Sequence, residues 1–223
     1  RPGSHQLFKC TPGIRIHQST LNGERFYNPR IKLEWVPLQR SDRLQIWISG
    51  GLYHQPPLYR EMRREDGTLN YELVSQKSLQ YVMGVQKDFH MNKVSPSTFR
   101  WISEIYYKSL WDLVPYELDN VRIRYSGKNE ANGYAIGWDN RIYGEFVPGA
   151  ESWVNLSLLR TREKIDGVEH RERDPNYPEG KIVEDVPRPT DQLFALGLFF
   201  QDYLPQNDQF KMHLNIQIAS GLP

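Results

Sequence analysis

Apolar and polar residues alternate without a break along residues 210–219, which read FKMHLNIQIA. The residues of one parity are all apolar: Phe210, Met212, Leu214, Ile216 and Ile218. Those of the other parity are mostly polar: Lys211, His213, Asn215 and Gln217. Because successive side chains of a β-strand point to opposite faces, the pattern predicts a strand between an apolar and an aqueous environment. The apolar environment is either a protein core or lipid.

The same alternation recurs along the chain, and no segment of useful length has the period of an amphipathic helix. It predicts nine strands, at residues 7–18, 25–37, 43–54, 76–90, 98–110, 132–147, 152–163, 190–204 and 210–220. Three large side chains break the pattern, because Trp153, Leu193 and Phe199 fall on the polar side of their strands. The sequence therefore predicts an all-β fold.

The connections between these strands differ in length in a regular way. One set is short, at 36–43, 90–97, 148–152 and 205–209. The other set is long at 55–75, 111–131 and 163–188, with a short member at 19–24. Antiparallel strands in sequence order would place each set at its own end of the sheet. Outer-membrane barrels have this layout, whereas a Greek-key sandwich mixes the lengths.

The polar side of the predicted strands is rich in charge. It collects Lys9, Arg15, Arg30, Lys32, Glu34, Arg100, Glu104, Lys108, Asp139, Arg141, Glu145 and Lys211. Burying an unpaired charge is prohibitive, so this side faces the solvent of a soluble protein or the lumen of a wide barrel. We expect these charges to pair across strands, with Arg30–Glu34 and Arg100–Glu104, four residues apart on one face, as examples.

Aromatic residues cluster at both ends of the apolar side. Trp35, Phe89, Phe99, Phe146 and Phe210 fall near the short turns, and Tyr27, Tyr107 and Tyr134 fall near the other end. Two aromatic belts fit the two interfaces of a bilayer, although aromatic residues also fill sandwich cores. Strands of about 11–13 residues favour the membrane, because soluble strands average about 5–6.

Composition narrows the function classes. The chain has 223 residues and a formal net charge of +1, which argues against nucleic acid as a partner. Its single cysteine, Cys10, excludes an internal disulfide framework. The sequence contains no run of about 18 apolar residues, so it does not predict a membrane-spanning helix.

Candidate binding residues concentrate in the 55–75 connection. Arginine and tyrosine are favoured at recognition surfaces, and loops on a rigid scaffold carry function. The predicted ligand contacts are Tyr59, Arg60, Arg63, Arg64 and Tyr71, and a structural role for this connection at the rim of the sheet is the alternative. The 163–188 connection is predicted to be a solvated loop. Its His170, Glu172 and Asp174 lack a zinc-type spacing, so no metal is expected.

No nucleophile elbow or phosphate-binding loop is present, and neither a catalytic residue nor a cofactor is predicted.

Five longer segments of the sequence are distinctive. They are GLYHQPPLYREM at 51–62, YYKSLWDLVPYELDNVRIRY at 106–125, GYAIGWDNRIYGEFVPGAESWV at 133–154, VPRPTDQLFALGLFFQDYLP at 186–205, and the closing IASGLP. Together they resemble TonB-dependent outer-membrane receptors of the kind typical of Bacteroidetes-like bacteria. The resemblance covers essentially the whole chain in the same order.

The resemblance implies a bacterial outer-membrane location and a non-enzymatic role in importing a scarce nutrient, such as a siderophore, glycan or peptide. It implies that residues 1–223 form part of a 22-stranded barrel, whose lumen holds a plug domain. The implied partners are the bilayer, that plug, the TonB complex through an N-terminal part, and a surface lipoprotein. The lumen-facing residues would then be Arg30, Lys32, Glu34, Arg100, Glu104, Asp139, Arg141 and Glu145.

Two other readings remain open on the sequence. A soluble carbohydrate-binding β-sandwich would use the apolar side as its core and would express as a soluble monomer. An outer-membrane barrel enzyme would place a catalytic pair at the rim, and one polar substitution there would abolish turnover.

Overall fold

The computed structural model describes residues 7–37, 43–64, 66–120, 122–147, 150–204 and 207–222. Nine long strands dominate it: β1 (Leu7–Gln18), β2 (Arg25–Val36), β3 (Leu44–Gln55), β4 (Gln76–Met91), β5 (Ser95–Leu113), β8 (Ala131–Val147), β9 (Ala150–Ile165), β13 (Phe194–Leu204) and β14 (Asn207–Ala219). The shorter strands are β6 (Tyr116–Asp119), β7 (Arg122–Tyr125), β10 (His170–Asp174), β11 (Tyr177–Val183) and β12 (Val186–Pro187).

The nine long strands form one antiparallel sheet in sequence order, β1-β2-β3-β4-β5-β8-β9-β13-β14. The short β12 adds to one end of β9, while β6–β7 and β10–β11 form separate hairpins. This arrangement confirms the predicted all-β, up-and-down order. The sheet is not closed: β1 and β14 are its edges, and no described strand pairs with the outer side of either.

Because each long strand pairs with its neighbours in sequence, the two predicted sets of connections lie at opposite ends of the sheet. We call the end with residues 19–24, 56–75, 114–130 and 166–193 the long-loop rim, and the other end the short-turn rim. At the short-turn rim, residues 92–94 join β4 to β5. The predicted turns at 36–43, 148–152 and 205–209 lie partly outside the described residues.

The structure differs from the predicted strands in two places. The eighth predicted strand begins at Phe194 rather than at 190, because the preceding residues bond β9 in another way. The Asp191 carboxylate accepts the Thr161 N–H at 2.7 Å in place of a ladder carbonyl. In addition, the long connections at 111–131 and 163–188 contain the β6–β7 and β10–β11 hairpins, which were not predicted.

The register assigns every strand the same two faces. Ile105 lies opposite Met83 on one neighbour and Trp138 on the other, whereas the adjacent Glu104 lies opposite Gly84 and Asp139. The predicted apolar and polar sides are therefore continuous across the sheet. Trp153 and Phe199 do lie on the polar face, where they are partners and their rings stack with centroids 5.4 Å apart.

The apolar face is exposed from one edge of the sheet to the other. Its exposed members include Ile14, Ile16, Ile31, Leu33, Ile48, Tyr81, Met83, Ile105, Ile136, Trp138, Leu156, Leu158, Leu214, Ile216 and Ile218. Met83 and Ile105 are each 55% exposed although they belong to central strands. The one cluster of buried apolar residues found among the described residues lies instead at the long-loop rim. Nowhere in the described ranges is there a helix with the length and apolarity to cross a membrane.

Candidate functional site

A small apolar cluster orders the long-loop rim. Met62 and Leu73 of the 56–75 connection pack with Val114, which follows β5, and each is at most 3% exposed. Leu69 and Tyr125 pack against this cluster from the side. The cluster therefore ties the 56–75 connection to the β6–β7 hairpin.

Hydrogen bonds from asparagine and glutamate side chains fix the same connection. The Asn129 amide donates to the carbonyls of Val74 and Asp112 at 3.0 and 2.6 Å, and its oxygen accepts the Val74 N–H at 2.9 Å. On the opposite side, the Glu24 carboxylate accepts both the N–H and the hydroxyl of Ser75. The last two residues of the connection, Val74 and Ser75, are thus held by the 114–130 connection and by the 19–24 turn.

Five arginines surround an open cleft at this rim. The arginine cleft, as we call it, measures about 1040 Å³ and is lined by Tyr59, Arg60, Arg63, Arg64, Gly67, Arg122, Ile123, Arg124 and Tyr125. Four of the five predicted ligand contacts therefore lie around one cleft. The fifth, Tyr71, is exposed and does not line it.

The contribution of the β6–β7 hairpin was missed by the sequence reasoning. Its two strands pair Tyr116 with Tyr125 and Glu117 with Arg124, and Asn120 takes a left-handed φ of 56° at the turn. Asparagine adopts that conformation more readily than most residues, which suits it to this position. The alternation in VRIRY was the available signal, since it puts Arg122 and Arg124 on one side of a short strand.

The cleft carries an excess of positive charge. Among the described residues, no ion pair neutralises Arg60, Arg63 or Arg122, while Arg124 does have a partner. Asp66 lies near Arg64, and its pKa is lowered by hydrogen bonds from the Thr68 hydroxyl and N–H and, to a smaller extent, by the Arg64 charge. Asp66 is therefore a stable carboxylate near the cleft, whose nine lining residues include five arginines and no acid.

Tyr125 joins the cleft to a second cavity. This upper cavity, of about 390 Å³, lies where the 56–75 connection meets the polar face, and its lining includes Tyr53, Glu61, Gln80, Tyr116 and Tyr125. Burial and the nearby Glu61 carboxylate raise the pKa of Tyr125, so its phenol stays neutral near pH 7. A continuous lining of polar and tyrosine side chains thus leads from the rim to the sheet.

The polar face holds all eight predicted lumen residues, and most of them have partners. Arg100 pairs with Asp88 on the neighbouring strand, with Nη2 and Oδ2 3.0 Å apart. It does not pair with Glu104, because four residues along a strand span about 13 Å. Glu104 instead accepts a bond from Trp47 Nε1 at 3.2 Å.

Most of the remaining predicted lumen residues also have partners, and Lys32 and Glu34 pair along a single strand. Glu34 binds Lys9 and Lys32 at 3.5 and 2.8 Å, while the guanidinium of Arg30 lies over the Tyr53 ring. The Arg141 Nε donates to Asn155 Oδ1 at 2.8 Å. Asp139 lies with Glu104 and Arg141 around a recess of about 310 Å³. Glu145 accepts the Ser97 hydroxyl at 2.7 Å.

Cations lie over aromatic rings repeatedly on the polar face. The six pairs are Arg30 over Tyr53, Lys32 over Trp47, Arg100 over Tyr143, Lys108 over Tyr106, Arg141 over Trp153, and Lys211 over Tyr203. All of the cation-to-centroid distances are between 5.0 and 5.7 Å. The polar face is therefore lined by aromatic rings, several of which contact a lysine or arginine side chain.

The histidine of the 163–188 connection makes a structural contact. His170, singled out in the sequence, is 7% exposed and its Nε2 accepts the Ile165 N–H at 2.9 Å. That bond gives it a structural role at the end of β9. No described group of three His, Cys, Asp or Glu side chains could hold a metal ion.

Neither a family model, nor a curated protein, nor a solved structure matches this chain.

Proposed function

We propose that the chain is part of the membrane-spanning barrel of a TonB-dependent outer-membrane transport receptor. In this proposal the long-loop rim binds a nutrient outside the cell, and the polar face lines the path through the barrel. The observation that carries it is a continuous exposed apolar face opposite a polar face, most of whose charges have partners. The family resemblance of the sequence supports the same assignment.

Lipid accounts for the exposed apolar face. Leaving a large aliphatic side chain in water rather than burying it costs about 1.5–3 kcal/mol, and this face carries many such side chains. Soluble monomers rarely expose contiguous apolar patches larger than a few hundred Å². The main strands are 11 to 19 residues long, which is enough to span the hydrocarbon core at a tilt.

Aromatic rings lie where the bilayer interfaces would meet the sheet. At the short-turn rim, the rings of Phe89, Phe99, Phe146 and Phe200 form a chain with centroids 5.1 to 6.4 Å apart. Nearer the other end, Tyr107 and Tyr134 stack at 6.4 Å. Two such belts around an aliphatic band are typical of outer-membrane barrels.

The two open edges are consistent with an incomplete barrel. The strands β1 and β14 present a row of unpaired N–H and C=O groups, which is unfavourable in lipid and promotes association in water. In the proposal, further strands of the same receptor pair with both edges and close the barrel. A plug and a TonB-contacting segment would complete the transporter.

Arginine substitution on each face tests the proposal. Ile216 and Gln217 are adjacent and exposed on β14, but they lie on the apolar and polar faces respectively. In the full-length protein, we expect Ile216→Arg to cost about 2–4 kcal/mol and to reduce outer-membrane assembly. Gln217→Arg is the matched control and should assemble normally. Assembly would be measured by heat-modifiable migration and membrane fractionation.

The proposal fails if both variants assemble to the wild-type level, because the apolar face would then not contact lipid. It also fails if the protein is found in the soluble fraction.

A further inference from the structure

We propose that the arginine cleft binds an anionic ligand that carries at least two carboxylate, sulfate or phosphate groups. This inference rests on the proposed function, in which the long-loop rim is the outer binding surface. It goes further by assigning the chemical class of the ligand and the residues that select it. These residues come from two separate connections, 56–75 and 114–130.

The first argument is charge. Arg60 and Arg63 belong to one tight turn, where the Arg63 N–H donates to the Arg60 carbonyl, and both side chains are exposed toward the cleft. Arg122 faces them from the β6–β7 hairpin. Like charges gathered without neutralising carboxylates repel one another, and an anionic ligand relieves that repulsion. The guanidinium fork also binds carboxylate, sulfate and phosphate groups through paired hydrogen bonds.

The second argument is a contrast with the polar face. There most of the cations are paired with acids or lie over rings, as Arg100 and Lys32 show. In the cleft, Arg60, Arg63 and Arg122 have no such described partner. Three arginines without a described partner therefore share one cleft, at a rim where an external ligand has access.

The third argument is size and lining. A cleft of about 1040 Å³ exceeds what a single inorganic ion fills, and it lies at the upper end of the range for small-molecule sites. Tyr59 and Tyr125 add ring faces and hydroxyl groups to the arginines. A ligand with several rings, such as an acidic oligosaccharide, uses both kinds of contact.

The fourth argument is preorganisation. The Met62, Leu73 and Val114 cluster and the Asn129 bonds hold both sides of the cleft before a ligand arrives. Binding to a fixed site avoids the entropic cost of ordering loops. Because Tyr125 also lines the upper cavity, a bound ligand is placed next to the polar face.

The test is calorimetric binding to the full-length protein in detergent micelles. The anionic probes are a sulfated, uronate-containing tetrasaccharide and citrate, and the neutral probe is maltotetraose. The variants are Arg60→Gln/Arg63→Gln and Arg122→Gln. The matched control is Arg173→Gln/Lys181→Gln, which removes two exposed positive charges from the β10–β11 hairpin, outside the cleft.

We expect at least one anionic probe to bind, and its Kd to rise about tenfold or more in Arg60→Gln/Arg63→Gln. The dependence of Kd on salt should weaken in the same variant, because fewer charges are neutralised. The control should keep the wild-type Kd. The probe that binds identifies the ligand class: binding of the tetrasaccharide indicates an acidic glycan, and binding of citrate indicates a small polycarboxylate.

Three results would overturn the inference: no anionic probe binds, the cleft variants bind as the wild type does, or the control loses as much affinity as they do. Failure of the proposed function is recognised separately, by the Ile216→Arg assembly assay. A protein that assembles in the outer membrane and binds only maltotetraose would retain the receptor assignment and refute the anionic ligand.

Discussion

At the scale of single residues, the polar face depends on glycines that lie beneath aromatic rings. Trp47 crosses from β3 over Gly84 of β4, and its indole N–H reaches Glu104 on β5. A Cβ on Gly84 would overlap the indole ring. Tyr106 covers Gly137 in the same way. These glycines let one aromatic side chain bridge the full width of a neighbouring strand.

Gly84→Ala should therefore destabilise the protein. The added methyl group forces the Trp47 ring to move, which weakens its bond to Glu104 and its contact with Lys32. We expect a loss of about 1–3 kcal/mol, as is usual for overpacking. The loss of stability would be measured by heating samples to increasing temperatures and following the disappearance of the folded band by gel electrophoresis.

Gly221→Ala provides the control, because no atom lies within 4 Å of the Cβ that it would add. An unchanged melting temperature for Gly84→Ala, or an equal drop for both variants, would contradict the role given to the ring.

At the scale of elements, the long strands were predictable and the rim was not. Alternation over ten or more residues, as in β14, fixes both the strand and its faces, because each face has one environment. The β6–β7 hairpin has only four residues in each strand and packs through Tyr125 on a local cluster. Its signal was too short to distinguish from a loop. The arginine cleft was therefore half predicted, since only one of its two sides could be read from the sequence.

Asn129→Ala should loosen the rim without affecting the sheet. The substitution removes two donated hydrogen bonds and one accepted bond between the 56–75 connection and the end of β5. We expect trypsin to cleave the variant faster after Arg63 or Arg64, since proteolysis follows local opening. Mass spectrometry of the fragments would locate the cut.

Asn132→Ala is the comparison for that experiment, because its exposed side chain makes no hydrogen bond among the described residues. If both variants are cut at the wild-type rate, the Asn129 amide does not hold the connection.

At the scale of the whole molecule, the lone cysteine reports on the environment of the apolar face. Cys10 is exposed and lies opposite Leu33, on the apolar face, whereas the next residue, Thr11, lies opposite Lys32 on the polar face. If lipid covers the apolar face, Cys10 should react about tenfold or more slowly with a charged, water-soluble maleimide than a cysteine at position 11.

The comparison uses the wild-type protein and the Cys10→Ser/Thr11→Cys variant, both assembled in the membrane. Equal labelling rates would show that water reaches both faces.

The architecture of the whole sheet also distinguishes the proposed receptor from the soluble β-sandwich that the sequence left open. A sandwich buries its apolar face under a second sheet about 10 Å away. The described residues form one large sheet and two small hairpins, and Met83 and Ile105 at its centre remain exposed. For this reason the transport proposal fits the sheet better than the carbohydrate-binding one.

Pairing between sequence neighbours has a further consequence, for how such a protein changes over evolutionary time. Apart from the short β12 on β9, each long strand bonds only the long strands before and after it, so no connection has to cross the sheet. A hairpin can then be duplicated or deleted as a block, and its former neighbours can re-pair with unchanged faces. The width of the sheet is therefore adjustable in units of two strands, while the loops of each hairpin diverge independently.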